Sequence, residues 1–270
     1  MRPRTQPGAS VARTLTMRNP IAFLIFIAAG MWSPPNLSAA DPLVTAALAA
    51  EARQDSRAAL ALFQQANEAH PNDPFILQKI SRQLSDATTD TADIVEKKRL
   101  AAEALAYARR AVALAPDNPV NVLSLAICHG KLATYGDTRE KIALSRLVKD
   151  EAERALALDP NYDWAHHVLG RWHCEVASLG TGARWFVKLV YGGLPPASHE
   201  KAVAHLERAV ALSPHVVAHT LELAFAYQAC GRQADARAHF LKGLALPSTE
   251  KHDESAKQRA RTALEALTSS

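Results

Sequence analysis

Aromatic residues are scarce in this sequence, at 6% of 270 positions, and runs of β-branched residues are scarcer still. That poverty argues against a β-sheet core, which draws on just those residue types. Alanine is abundant instead, and alanine loses no side-chain entropy in a helix and lets helices approach closely. Cysteine is equally sparse: Cys128, Cys174 and Cys230 are the only three. An odd count cannot form a fully paired disulfide framework. Each lies in a helical pattern beside small residues, so burial as a small hydrophobe is the reading for all three.

Excess charge is missing too, once its location is read. The formal net charge is +4, but Arg2, Arg4, Arg13 and Arg18 stand in a first forty residues that contain no acid. The remainder holds 27 basic and 27 acidic side chains. A neutral body has little sequence-independent attraction for phosphate, which sets nucleic acid aside as a partner.

Recognisable catalytic motifs are absent as well. There is no phosphate loop, dinucleotide-binding glycine pattern, nucleophile elbow or paired-cysteine zinc motif. The best metal-ligand candidates are His166, His167, His173 and Cys174. His166 and His173 are seven apart and share a helix face, but the repeat pattern below gives these positions to helix packing. No catalytic residue, metal site or cofactor is assigned, and the expected function is not enzymatic.

After residue 40 no long apolar stretch occurs. Before it, Arg13 and Arg18 precede the apolar run from Pro20 to Met31, followed by Ser33-Pro34-Pro35 and Ser38-Ala39-Ala40. A basic flank, a short apolar core and small residues before a cut describe a secretory signal peptide, with cleavage expected after Ala40. Counted from Met17 the signal would be 24 residues. The run is shorter than the roughly 20 residues of a spanning helix, so an uncleaved anchor is the lesser reading. The domain division is therefore 1–40 as signal and 41–270 as one soluble domain, expected in a bacterial periplasm.

What the sequence does have is a repeat. Ala59, Phe63, Ala66 and Pro71 follow the second-helix pattern of a tetratricopeptide unit, and four further stretches repeat it. These are Ala104, Ala108, Ala111 and Pro116; Val148, Ala152, Ala155 and Pro160; Ala202, Leu206, Ala209 and Pro214; and Ala236, Phe240, Gly243 and Pro247. First helices sit between them: Leu169-Gly170 follow Pro160, while Leu223, Ala224 and Tyr227 follow Pro214. Small residues let the two helices of a hairpin meet, large ones fill the groove of the next hairpin, and the proline ends each second helix. The closing prolines fall 45, 44, 54 and 33 residues apart rather than at a constant ~34. Extra residues lie near Thr88–Lys98, Tyr135–Ile142 and Ala177–Glu200. The predicted fold is all-α, a tetratricopeptide-like α-solenoid of antiparallel helix pairs with long, irregular repeats.

The irregular part is itself distinctive. Asp163-Trp164-Ala165-His166-His167-Val168-Leu169-Gly170-Arg171-Trp172 resembles the Leu-Gly-Arg-Trp region of the regulator of microtubule dynamics family. Ala177-Ser178-Leu179, Ala183-Arg184-Trp185-Phe186, Gly192-Gly193-Leu194-Pro195-Pro196-Ala197-Ser198 and Glu200-Lys201-Ala202 are similar to its insertion and Pro-Pro-Ser turn. Pro247-Ser248-Thr249-Glu250 is similar to its C-terminal end, and the resemblance runs over roughly 45–268. It implies a tetratricopeptide-like domain that binds partners and has no known catalytic centre. A secreted bacterial protein would not meet tubulin, so the resemblance bears on fold more than on cellular role.

In such arrays the first helices line a concave surface suited to an extended peptide or a partner helix. Counting positions places Phe75, Gln78, Arg82, Val120, Leu123, Ile127, Trp164, His167, Arg171, Leu221, Phe225 and Gln228 there. Arg171 beside Trp164 is a composition common in binding hot spots. A C-terminal helix over Glu254–Leu267 competes for part of this surface by folding back. The expected partner is a protein or peptide, with oligomeric state open. The alternative is a carrier whose curved array holds a lipid or other apolar ligand against Val120, Leu123, Ile127, Leu221 and Phe225. The insertion Arg184–Tyr191 alternates bases with large apolar groups. It is expected to pack across the array, with a membrane surface or a groove cap as the lesser alternatives.

Overall fold

The computed structural model describes residues 41–268, and the expected signal peptide therefore lies outside the described residues. Within them the chain forms twelve helices and no strand. In order these are α1 (Pro42–Ala52), α2 (Ser56–Ala69), α3 (Pro74–Ala87), α4 (Ile94–Leu114), α5 (Pro119–Tyr135), α6 (Thr138–Leu158), α7 (Asp163–Ala177), α8 (Thr181–Tyr191), α9 (His199–Leu212), α10 (Val217–Ala229), α11 (Gln233–Ala245) and α12 (Asp253–Thr268). None of these is long and apolar enough to cross a membrane.

The five closing prolines each fall two residues beyond a second helix. Helices α2, α4, α6, α9 and α11 end at Ala69, Leu114, Leu158, Leu212 and Ala245, ahead of Pro71, Pro116, Pro160, Pro214 and Pro247. A proline ring disfavours helical geometry in the residue before it. His70, Ala115, Asp159 and Ser213 accordingly leave the helical region, with φ near −130 to −139° and ψ between 65 and 99°. Three first helices start on an acid or amide followed by proline: Asp41-Pro42, Asp73-Pro74 and Asn118-Pro119. The side chain accepts from free backbone N–H groups of the first turn, as Asp73 does from Phe75 at 2.8 Å and Ile76 at 3.2 Å. Proline at the next position loses nothing there, because that N–H has no helical partner.

Hairpins α1/α2, α3/α4, α5/α6 and α10/α11 pack as antiparallel pairs, and α7 pairs with α9 rather than with α8. Each hairpin also packs on the next. Two helices of 21 residues, α4 and α6, account for the long early intervals. Helix α8 and the loop after it account for the 54-residue interval. The repeat alanines do what the pattern requires: Ala59, Ala66, Ala104, Ala108, Ala111, Ala152, Ala155, Ala202, Ala209 and Ala236 are all fully buried. At Gly170 the approach is closer still, since a Cβ there would stand 2.5 Å from Leu206 Cγ across the α7/α9 contact.

The core is three clusters in series. The first runs from Val44 through Phe63 and Ile80 to Cys128, the second joins Val122 and Leu123 to Leu169, and the third joins Leu206, Leu221 and Phe240 to Ala260 of α12. All three cysteines are free thiols; Cys128 is buried, while Cys174 and Cys230 are half-buried.

Candidate binding surface

The first helices α3, α5, α7 and α10 carry the residues predicted to line the groove. Phe75 on α3 and Val120 and Ile127 on α5 are exposed large apolar groups. Gln78 bridges the two helices by donating from Nε2 to Ser124 Oγ at 3.2 Å. Trp164 on α7 is half-buried, with its ring edge against His219 at 4.7 Å and tilted against His167 at 5.1 Å. Arg82 and Arg171 are exposed on α3 and α7.

Three predicted groove residues belong instead to the core. Leu123, His167 and Leu221 are buried and offer no surface to a partner. A first helix is wedged between its own second helix and the next hairpin, so its buried arc is wider than a single hairpin implies. Leu123 turns toward Ala152 and Leu169, Leu221 joins the α10/α11 cluster, and His167 meets His219.

Phe225 and Gln228 on α10 are half-buried, and the C-terminal helix explains Phe225. Helix α12 folds back onto α10 and α11. Its Arg259 lies over the Phe225 ring at 4.9 Å and pairs with Glu222 at 2.6 Å; Arg171 reaches the same Glu222 at 3.8 Å. The α10 end of the surface is thus occupied by the chain itself.

A second closure was not expected. The turn between α11 and α12 reaches back to α3 and the turn that follows it, more than 160 residues earlier. Arg82 Nη2 meets Glu250 at 2.6 Å, His252 Nε2 meets Asp86 at 3.0 Å, and Lys251 Nζ meets Asp90 at 2.7 Å. Burial pulls the Arg82 guanidinium down, but Glu250, Glu51 and Asp86 outweigh it and hold it charged. The C-terminal turn is therefore a strap from the last hairpin back to the second, fixed by partly exposed ion pairs.

The histidines form pairs. His166 Nδ1 faces His205 Nδ1 at 3.0 Å, while His166 Nε2 donates to the Pro160 carbonyl at 3.1 Å. His173 stacks on His205, with ring centroids 5.7 Å apart. His167 Nδ1 faces His219 Nδ1 at 3.1 Å, and His219 Nε2 donates to Asp163 at 3.2 Å. Burial, then the neighbouring His166 and His173, pushes His205 down to about 4. Burial also lowers His167 and His173, and it lowers His219 despite the nearby Asp163 carboxylate. His166 and His167 turn to different neighbours, so the four candidate ligands do not converge. Among the described residues no three His, Cys, Asp or Glu side chains are grouped to hold a metal.

Insertion helix α8 departs from expectation. It leans on α6, Arg146 of α6 donates to the carbonyls of Tyr191 and Gly193, and only Val187 of its residues is buried. It does not pack across the array.

The solved structure of a thermophilic TPR protein from Thermus thermophilus superposes with a TM-score of 0.59 at 22% identity, covering 81% of this chain and 95% of that one. Regulator of microtubule dynamics protein 3 of Xenopus laevis is 31% identical over 66% of this chain and 38% of its own length. Regulator of microtubule dynamics protein 1 of Homo sapiens is 28% identical over 54% of this chain and 46% of its own. The chain thus spans less than half the length of these curated relatives. The family profile described as "Regulator of microtubule dynamics protein 1-3" matches residues 43–268, practically all of the helical array, and the chain belongs to that family.

Proposed function

We propose that this chain is a non-enzymatic scaffold that binds a protein or peptide segment along α3, α5 and α7. The observation that carries the reading is the row of exposed apolar groups, Phe75, Val120 and Ile127, on consecutive first helices beside the cations Arg82 and Arg171. Apolar anchors flanked by charge suit a segment that carries both hydrophobic side chains and a carboxylate. Glu250 shows the chemistry Arg82 accepts: a partner carboxylate can take its place once the strap lifts.

The apolar-ligand carrier fares worse on the same geometry. Of the five residues it would use, Leu123 and Leu221 are buried and Phe225 lies beneath Arg259.

The sequence of the first forty residues supports export, with Asp41 as the mature N-terminus. Asp41 caps α1 by accepting from Leu43 at 2.7 Å, a contact that a cut after Ala40 would leave in place. N-terminal sequencing of the mature protein starting at Asp41 is the expected result; a start at residue 1 or 17 contradicts cleavage. The relatives' microtubule name does not fix a partner for an exported chain. Binding is tested by pull-down from envelope extract with the full chain beside an Arg171→Glu variant. A partner retained by wild type and lost by the variant is expected; equal retention by both removes Arg171 from the surface.

A further inference from the structure

Helix α8 carries its apolar side outward. At 3.6 residues per turn, Trp185, Leu189, Phe186 and Val190 occupy about 140° of its circumference, and Val187 follows about 60° further on. Val187 faces the body at 8% exposed, whereas Trp185 and Leu189, nearly opposite it, are 65% and 67% exposed. Phe186 and Val190 are exposed between them. A surface helix normally turns such a face inward. Four large apolar groups side by side on one short helix form a patch of the kind that marks an interaction site.

Charge points to the occupant. From Val176 to His199 the chain has no acid, and its bases are Arg184 and Lys188, one turn apart on α8 and both exposed. They flank the apolar ridge on the side away from Val190. Beside α8, a cleft of about 520 Å³ between it and α6 is lined by Arg139, Arg146, Val190 and Tyr191. An outward apolar ridge with a basic flank and no acid is the pattern of a helix lying in a bilayer interface: rings and branched chains enter the headgroup boundary and bases meet anionic headgroups. The helix is also held in place for this. Arg146 clasps the carbonyls of Tyr191 and Gly193, and Gly192 and Gly193, at φ 77° and 87°, end α8 abruptly.

We propose that α8 docks this protein peripherally on an anionic lipid bilayer, independently of the partner surface on α3, α5 and α7. The full chain is sedimented with vesicles of phosphatidylcholine, with and without phosphatidylglycerol. Wild type is expected to partition onto the anionic vesicles, and Trp185→Ser/Leu189→Ser at least about tenfold less. Arg184→Glu/Lys188→Glu is expected to lose the preference for anionic vesicles, and the wild-type preference is expected to weaken with salt. All substituted side chains are exposed, so unchanged circular dichroism checks that the fold is kept.

The N-terminal apolar segment of the full chain is a second route to a membrane, so a local readout separates the two. Brominated lipid is expected to quench wild-type tryptophan emission more than that of Trp185→Phe, which keeps the apolar face but removes the fluorophore. Equal quenching of the two overturns the proposal, whatever vesicle binding the N-terminal segment supports by itself. A wild-type dimer in solution, abolished by that variant and with no vesicle binding, overturns it in favour of a second copy as the occupant.

Discussion

Gly170→Ala is expected to destabilise the protein, although alanine is the better helix former. The exchange gains roughly 1 kcal/mol of helix propensity, because glycine loses more backbone freedom on folding. Against this, the new Cβ would stand 2.5 Å from Leu206 Cγ and 3.1 Å from each of its Cδ atoms. Leu206 is buried in the α9/α10 cluster and has no solvent to turn into. Relief therefore requires α7 and α9 to part, and overpacking of that kind costs about 1–3 kcal/mol. With a contact this short the clash wins, with a net loss of up to about 2 kcal/mol. For an array of this size that corresponds to a fall of up to about 8 °C in melting temperature. Gly182→Ala is the matched control: Gly182 also lies in a helix, but an added Cβ there meets nothing within 4 Å. It is expected to hold or slightly raise stability. Thermal unfolding followed by circular dichroism reads both, and a Gly170→Ala protein at least as stable as wild type would refute the close α7/α9 approach.

Acid sensitivity follows from the paired histidines. A histidine whose folded pKa is depressed contributes stability that is fully present above its unfolded value near 6.5 and is lost as pH falls toward the folded value. For His205 that window runs from about 6.5 to about 4. Urea titrations across it are expected to show falling stability, with a shallower fall in His205→Gln; a flat wild-type profile contradicts neutral burial. Arg82→Ala removes the strap's contact with Glu250 but shifts global stability by less than about 1 kcal/mol, because partly exposed pairs contribute little. The same change is expected to speed trypsin cleavage after Lys251, and unchanged cleavage means the strap does not depend on Arg82. Trp172→Phe leaves the Ser145 carbonyl and hydroxyl without the indole N–H that donates to them at 2.8 and 3.0 Å. A loss of about 1 kcal/mol is expected, read by chemical unfolding.

The second helices were legible in the sequence because each is written locally: small residues at helical spacing, then a proline that forces the chain out of the helix. Two first helices, α7 and α10, were legible by Leu169-Gly170 and by Leu223, Ala224 and Tyr227. The surface was less so. Leu123, His167 and Leu221 are spaced like groove residues, but a first helix is covered from two sides, and spacing along one helix does not say how far the neighbouring hairpin reaches around it. For α8 the pattern Trp185, Phe186, Leu189, Val190 shows an amphipathic helix without showing which way it faces. That is settled by Val187 packing inward and by Arg146 gripping the helix end. The strap joins Glu250, Lys251 and His252 to α3 and the turn that follows it across most of the chain, and no local pattern encodes a contact at that separation. The α12 fold-back was legible as an amphipathic segment, though its cover over Phe225 depends on one long side chain, Arg259.

The central claim, that a partner lies along α3, α5 and α7, is tested most directly by a photo-crosslinking residue at Ile127 beside one at Arg109 on second helix α4. Both positions are exposed. The account predicts a crosslinked partner from position 127, diminished by Arg171→Glu, and none from position 109. Crosslinking from position 109 alone would place the partner on the second helices and contradict it.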